Sequence, residues 1–194
     1  MDSIATLKRT IRRSIIERIL AMNPQERAGE DAALTALFPK LEGWQNSRCP
    51  LLFARAFLEE INTEPFLRAS LEAGKRLVCP KVDRRAKCLR LFEINNLQTD
   101  FESGTLGIPE PGSTCRQVDP EEIDWVLVPG VAFDARGYRI GRGAGHYDRL
   151  LPRLRQDVPR WALIYEAQWI EQVPVEPHDV PVDGVASSSR IICP

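Results

Sequence analysis

The stretch IDWVLVPGVAF, residues 123–133, constrains this chain more than any other. Apart from Asp124, Pro129 and Gly130 its residues are apolar, and no polar alternation marks a face turned toward water. Such a run fits a strand at the centre of a sheet with both faces covered, as in parallel-sheet α/β proteins. It is followed by GRGAGHYDRLL, residues 141–151, with glycine at three alternate positions. Each glycine costs about 0.5–1 kcal/mol against alanine in regular structure, so three so close together imply a backbone that turns tightly or approaches a ligand.

The rest of the sequence alternates helix and strand patterns. Residues 3–21 place Ile4, Leu7, Ile11, Ile15 and Ile19 at helical spacing among basic residues, and a second helix is expected from Pro24, capped by Asn23, to about Phe38. PLLFARAFLEE reads as a buried strand and a loop, and NTEPFLRASLEAGK as a helix stopped by Gly74. RLVCPKV and CLRLFEI read as strands joined by the charged turn DRRAK. Residues 95–122, with Gly104, Gly107, Pro109, Pro111 and Gly112, read as a long ordered loop rather than a linker. HYDRLLPRL is expected as a helix, RWALIYE as a buried strand, and the end as a proline-rich polar segment with a short tail. The pattern predicts one α/β domain over residues 1–194, a three-layer α/β/α sandwich around a mostly parallel sheet.

The net charge of −1 argues against a nucleic-acid or membrane surface as the main business. Five cysteines without a CxxC pair and only two histidines disfavour a zinc site and fit thiols in a reducing compartment. No apolar run reaches a membrane span and the N-terminus lacks a signal-peptide core, so a cytoplasmic protein is expected.

A strand ending in Val128-Pro129-Gly130, a polar turn, the glycines and a helix start make a sensible phosphate site beyond a strand end. The cluster lacks the Gly-Lys-Ser/Thr of a P-loop, and His146 stands where the dinucleotide fingerprint needs glycine. A plain tight turn accounts for the spacing equally well, although Arg139 and Arg142 each suit a phosphate partner. Asp148 reads either as an early-helix carboxylate or as a Mg²⁺ ligand. An Asx turn suffices for Asp134.

Taken together, VLVPGVAFDARGYRIGRGAGHYDRLL closely resembles the signature of the 5-formyltetrahydrofolate cyclo-ligase (5,10-methenyltetrahydrofolate synthetase) family. Lys8-x-x-Ile11-Arg12, EEINTEP (59–65), LGIPEP (106–111) and HDVPVD (178–183) resemble further family segments in the family's order. The resemblance implies ATP- and Mg²⁺-dependent conversion of 5-formyltetrahydrofolate to 5,10-methenyltetrahydrofolate, with release of ADP and phosphate. It implies a small cytoplasmic monomer acting on a reduced folate.

By the same resemblance, Lys8, Arg12, Arg139 and the loop Gly141, Arg142, Gly143, Ala144, Gly145, His146 and Tyr147 hold the ATP phosphates, with Arg9 in the same set. Asp148 binds Mg²⁺, and Asp179 gives a second acidic contact, with Asp183 its competitor. Glu60 binds the pterin end of the folate. Tyr147 lines that pocket with Gly143, Gly145 and His146, and Arg55 is a neighbouring candidate. Arg139 and Tyr147 stand at the reacting groups. From composition alone, the basic residues of the first helix read as a solvated face. Two positions depart from the family pattern, His146 where tyrosine is common and Ala144 where lysine or glycine is. These departures leave open a paralogue that binds folate without turning it over.

Overall fold

The computed structural model describes residues 3–104 and 108–194. Helix α1 (Ile4–Leu20) starts where Ser3 Oγ accepts from the Thr6 amide, and α2 (Pro24–Leu37) where Asn23 accepts from Gln25. Strand β1 (Pro50–Leu51) leads through α3 (Glu64–Glu72) to β2 (Leu77–Asp83). The expected hairpin follows, β2 pairing antiparallel with β3 (Cys88–Ile94). Then come β4 (Phe101–Ser103), β5 (Pro109–Pro111), β6 (Gln117–Val118), β7 (Trp125–Leu127), β8 (Ala132–Phe133) and β9 (Arg139–Ile140). The chain closes with α4 (His146–Leu150), β10 (Arg160–Leu163), β11 (Gly184–Ala186) and β12 (Ile191–Ile192).

Eight strands form one sheet in the order β12-β11-β10-β7-β1-β2-β3-β6. The five inner strands β11, β10, β7, β1 and β2 run parallel, and antiparallel strands close both edges. β7 lies inside the sheet between β1 and β10, as its apolar run requires. Trp125 and Leu127 enter the core beneath the first three helices, with Ile15, Ile19, Leu34 and Phe66. Val126 and Val128 enter the core on the opposite face, with Leu150, Leu151 and Leu154. The period-two alternation thus feeds two cores, and burial of both is the main stabilising term.

Three expectations need correction. Residues 95–122 are not one loop: β4 pairs with β5, β6 joins the main sheet, and residues 105–107 lie outside the described residues. Strands of two or three residues carry no periodic signal, and prolines at both ends of β5 are tolerated because it pairs on one side only. The HYDRLLPRL helix is one short α-turn followed by a 3₁₀ turn at Leu151–Arg153, since Pro152 cannot continue an α-helix. The C-terminal tail adds β11 and β12 to the sheet.

Gly184 in β11 is fixed by close packing. A Cβ there would lie 2.5–2.6 Å from three ring atoms of Trp161, which is only 4% exposed. Gly184→Ala is therefore expected to cost roughly 1–3 kcal/mol. Thermal unfolding checks this, with a melting temperature lower by about 3–10 °C for a chain of this size.

Candidate active site

A cavity of ≈ 340 Å³ opens beyond the C-terminal ends of the parallel strands. Phe53 and Ala54 reach it from the end of β1, and Pro129, Gly130 and Val131 from the end of β7. Gln168 seals the β10 side: its Nε2 donates to Gly130 O (2.9 Å) and Val131 O (3.2 Å), and its Oε1 accepts from Tyr165 N (2.9 Å). Pro80, Val82, Leu89 and Ile108 form an apolar wall. Glu60, Arg139, His146, Tyr147 and Asp148 also line it, so one mostly apolar slot carries a few convergent polar groups.

The glycine cluster answers to geometry at two of its three positions. Gly143 and Gly145 have φ of +100° and +62°, a region costly for side chains with a Cβ. At Gly141 φ is not positive and a Cβ would meet nothing within 4 Å, so open space lies beside it. The helix that follows has only five residues, so its dipole is small, and the cationic groups at the loop are Arg142 within it and Arg12 against it.

Arg139 anchors the site. Its side chain is 4% exposed, and its guanidinium donates to Asp148 Oδ1 (2.7 Å) and to Val180 O. Burial lowers the Arg139 pKa, with Asp148 opposing the shift. Asp148 Oδ1 also accepts from Val180 N at 3.3 Å, while Oδ2 takes no hydrogen bond among the described residues. The Tyr147 hydroxyl is buried without a hydrogen-bond partner, and burial drives its pKa well above the ordinary value. An unpartnered buried phenol at a cavity wall is a donor without an acceptor. His146 is half-buried, and burial followed by the charge of Arg149 holds its pKa below the usual imidazole value.

The basic first helix contributes unequally. Arg12 Nε donates to Gly141 O (2.7 Å), which places its guanidinium 3.6 Å from the Cβ position of Gly143. Among the described residues no carboxylate pairs with Arg12, and burial plus the nearby Arg142 charge lowers its pKa. A half-buried, uncompensated guanidinium against the loop favours an anion there. Lys8 Nζ instead bonds Asp179 (2.5 Å) and Glu176 (2.9 Å). Burial acts to lower the Lys8 pKa, but the two carboxylates outweigh it and raise it. At Asp179 burial acts upward, and Lys8 and the Glu176 amide reverse it. Arg9 is exposed, and no contact brings it to the cavity. Asp183 accepts from Arg160 N (2.9 Å) on β10, as a structural cap.

Glu60 lines the cavity from the turn after β1. Its Oε2 accepts from Ala56 N (2.8 Å) and Phe57 N (3.2 Å), and its Oε1 from Arg142 Nε (3.3 Å). Arg142 also bonds Glu59 (2.5 Å) and lies 3.3 Å from the centroid of the Phe57 ring, so the glycine loop is pinned to the Glu60 turn. Arg55 is not on this cavity: its guanidinium braces the turn through Phe57 O (3.1 Å) and Leu58 O (2.7 Å), beside a neighbouring cavity. Sequence reasoning missed Gln168, which has no local signature, and Glu59, whose adjacency to Glu60 was the available signal. Asp134, fully buried, does form the Asx turn, accepting from Arg136 N at 3.0 Å.

A parallel-cored sheet with a cationic glycine loop facing an apolar slot beyond its strand ends is the architecture of a small-molecule enzyme. The profile of the 5-formyltetrahydrofolate cyclo-ligase family matches residues 4–188. The chain is 28% identical to a mitochondrial 5-formyltetrahydrofolate cyclo-ligase of Arabidopsis thaliana, over 99% of this chain and 78% of that protein. It is 31% identical to the 5-formyltetrahydrofolate cyclo-ligase of Escherichia coli K12, over 70% of this chain and 76% of the relative. The fold superimposes on the 5,10-methenyltetrahydrofolate synthetase of Aquifex aeolicus with a TM-score of 0.84 and 28% identity, covering 96% and 92% of the two chains. The chain belongs to the 5-formyltetrahydrofolate cyclo-ligase family.

Proposed function

We propose that this protein converts 5-formyltetrahydrofolate to 5,10-methenyltetrahydrofolate with ATP and Mg²⁺, releasing ADP and phosphate. The observation that carries the reading is the convergence of Glu60, the Arg139–Asp148 pair and the cationic glycine loop on one apolar-walled cavity. The N5 formyl group is amide-like, a poor electrophile with a poor leaving oxygen. Transfer of the γ-phosphoryl to that oxygen makes it a leaving group. N10 then attacks the formyl carbon and gives up its proton, and expulsion of phosphate closes the ring as the methenyl cation.

The protein's part is to position two anionic substrates and neutralise charge. Arg12, Arg139 and the 141–147 backbone hold the polyphosphate, and Arg142 and Lys8 reach it by leaving their carboxylate partners. The folate enters the apolar slot with its aminopyrimidine edge on Glu60, displacing Arg142 from Oε1, and Tyr147 gives its unpaired hydroxyl to the substrate. The apolar wall excludes water that would intercept the phosphorylated formyl group.

The donor set fits a hard divalent cation, which takes one or two protein carboxylates beside substrate phosphates. Asp148 would hold it through Oδ2, with Oδ1 fixed by Arg139 and Val180 N, and Asp179 through Oδ1, with Oδ2 fixed by the Glu176 amide once Lys8 has left. Bound there, Mg²⁺ supplies charge neutralisation on the phosphoryl oxygens. The remaining attributes of the reading are a monomer in the cytoplasm that binds no nucleic acid. No helix among the described residues is long and apolar enough to cross a membrane.

The test is the absorbance of the methenyl product formed from 5-formyltetrahydrofolate with and without Mg-ATP. Product only with Mg-ATP supports the reading, and folate binding without product makes this chain a binding paralogue. EDTA is expected to stop turnover yet shift the melting temperature by less than about 2 °C, under 1 kcal/mol for this size. The fold does not depend on the metal because Arg139 and Lys8 already neutralise both carboxylates.

A further inference from the structure

We propose that Arg27, acting with Tyr165 and Asp31, is the positioning group that sets Glu60 in the cavity. The inference rests on the reading of Glu60 as the folate-binding carboxylate. Glu60 sits in a segment without regular structure: residues 52–63 form neither helix nor strand, and the 57–60 turn closes on one bond, Glu60 N to Phe57 O at 3.1 Å. A carboxylate on such a segment is placed only as well as its backbone is held from outside.

That hold comes from α2 and the end of β10. Arg27 Nη2 donates to Leu58 O and to Glu60 O, the latter at 3.1 Å. Arg27 Nε donates to the Tyr165 hydroxyl (3.2 Å), which in turn donates to Asp31 Oδ1 (2.8 Å). The same Asp31 oxygen accepts from Asn62 N at 3.1 Å. Arg27 and Asp31, joined through the Tyr165 hydroxyl, thereby grip the backbone at residues 58, 60 and 62, on both sides of Glu60. Arg27 and Asp31 lie one helical turn apart on α2 and so present their groups to one face. The Arg27 guanidinium also lies over the Tyr165 ring, 5.2 Å from its centroid, and Tyr165 is fully buried, so the support is rigid. None of the three residues lines the cavity, so they act through Glu60 and touch no substrate.

A clamp that merely stabilised the fold would move both substrates' kinetics together or neither. A clamp that aims Glu60 moves folate alone. Arg27→Ala is expected to raise KM for 5-formyltetrahydrofolate about 10- to 100-fold, the scale of a misplaced binding group. KM for ATP should stay within about twofold of wild type, because Arg142, the one link from this turn to the glycine loop named above, leaves Glu59 and Glu60 when it takes the polyphosphate. Arg27→Lys, which can still reach the two carbonyls, should recover most of that loss. Tyr165→Phe removes one hydroxyl and keeps the ring, so it decides the matter if Arg27→Ala does not fold, and it should shift KM for folate in the same selective way. Equal shifts in both KM values, or none, in the folded variants overturn the clamp. A wild-type protein without Mg-ATP-dependent product overturns the functional reading instead, so the two failures are distinct.

Discussion

Asp148→Ala is expected to reduce turnover by about 10³-fold, the upper range for loss of one preorganised electrostatic group. It is also expected to cost about 3 kcal/mol of stability, because it strands the Arg139 guanidinium, 4% exposed, without its counter-charge. The two losses separate in a double variant. Arg139→Met with Asp148→Leu removes both charges from the buried site and fills it with apolar atoms, which is often neutral for stability. Chemical denaturation of the double variant should recover wild-type stability to within about 1 kcal/mol, while turnover stays abolished. Recovered stability with recovered turnover would show that the pair serves the fold alone.

Glu60→Gln carries the second large effect, on one substrate. A charge-assisted pair of hydrogen bonds to an aminopyrimidine edge is worth about 1.5–3 kcal/mol, so KM for 5-formyltetrahydrofolate should rise roughly 100-fold. The glutamine carbonyl still accepts from the Ala56 and Phe57 amides, so the turn persists and KM for ATP should hold. The variant also loosens Arg142, which keeps Glu59 as a partner at 2.5 Å. Steady-state kinetics with each substrate varied in turn checks the separation. Equal rises in both KM values would contradict a folate-specific role for Glu60.

The sheet's centre was legible because burial on both faces forces a continuous apolar run, and 123–133 has one. Helix α1 was legible through its apolar spacing, α2 through its Asn23 cap, and the β2–β3 hairpin through its charged turn. The short strands β6, β11 and β12 were not, because at two or three residues they carry no periodic pattern. At the site, sequence pattern named the residues but not their present bonds. Pattern cannot show that Lys8 lies between Glu176 and Asp179, that Arg142 covers Glu60, or that Arg55 faces a neighbouring cavity. The first two depend on side chains more than 80 residues apart meeting, and the third on how the turn after β1 folds back on itself. Arg27 left no signal at all, since an arginine on an amphipathic helix ordinarily reads as a solvated face.

The central claim is that the polyphosphate and the formyl group meet in this cavity so that the formyl oxygen itself is phosphorylated. The most direct measurement is to supply 5-formyltetrahydrofolate labelled with ¹⁸O in the formyl group and to analyse the released inorganic phosphate by mass spectrometry. The account predicts one ¹⁸O atom in each phosphate released. Unlabelled phosphate, with methenyl product still forming, would mean that ATP hydrolysis drives closure by another route and would contradict the assignment.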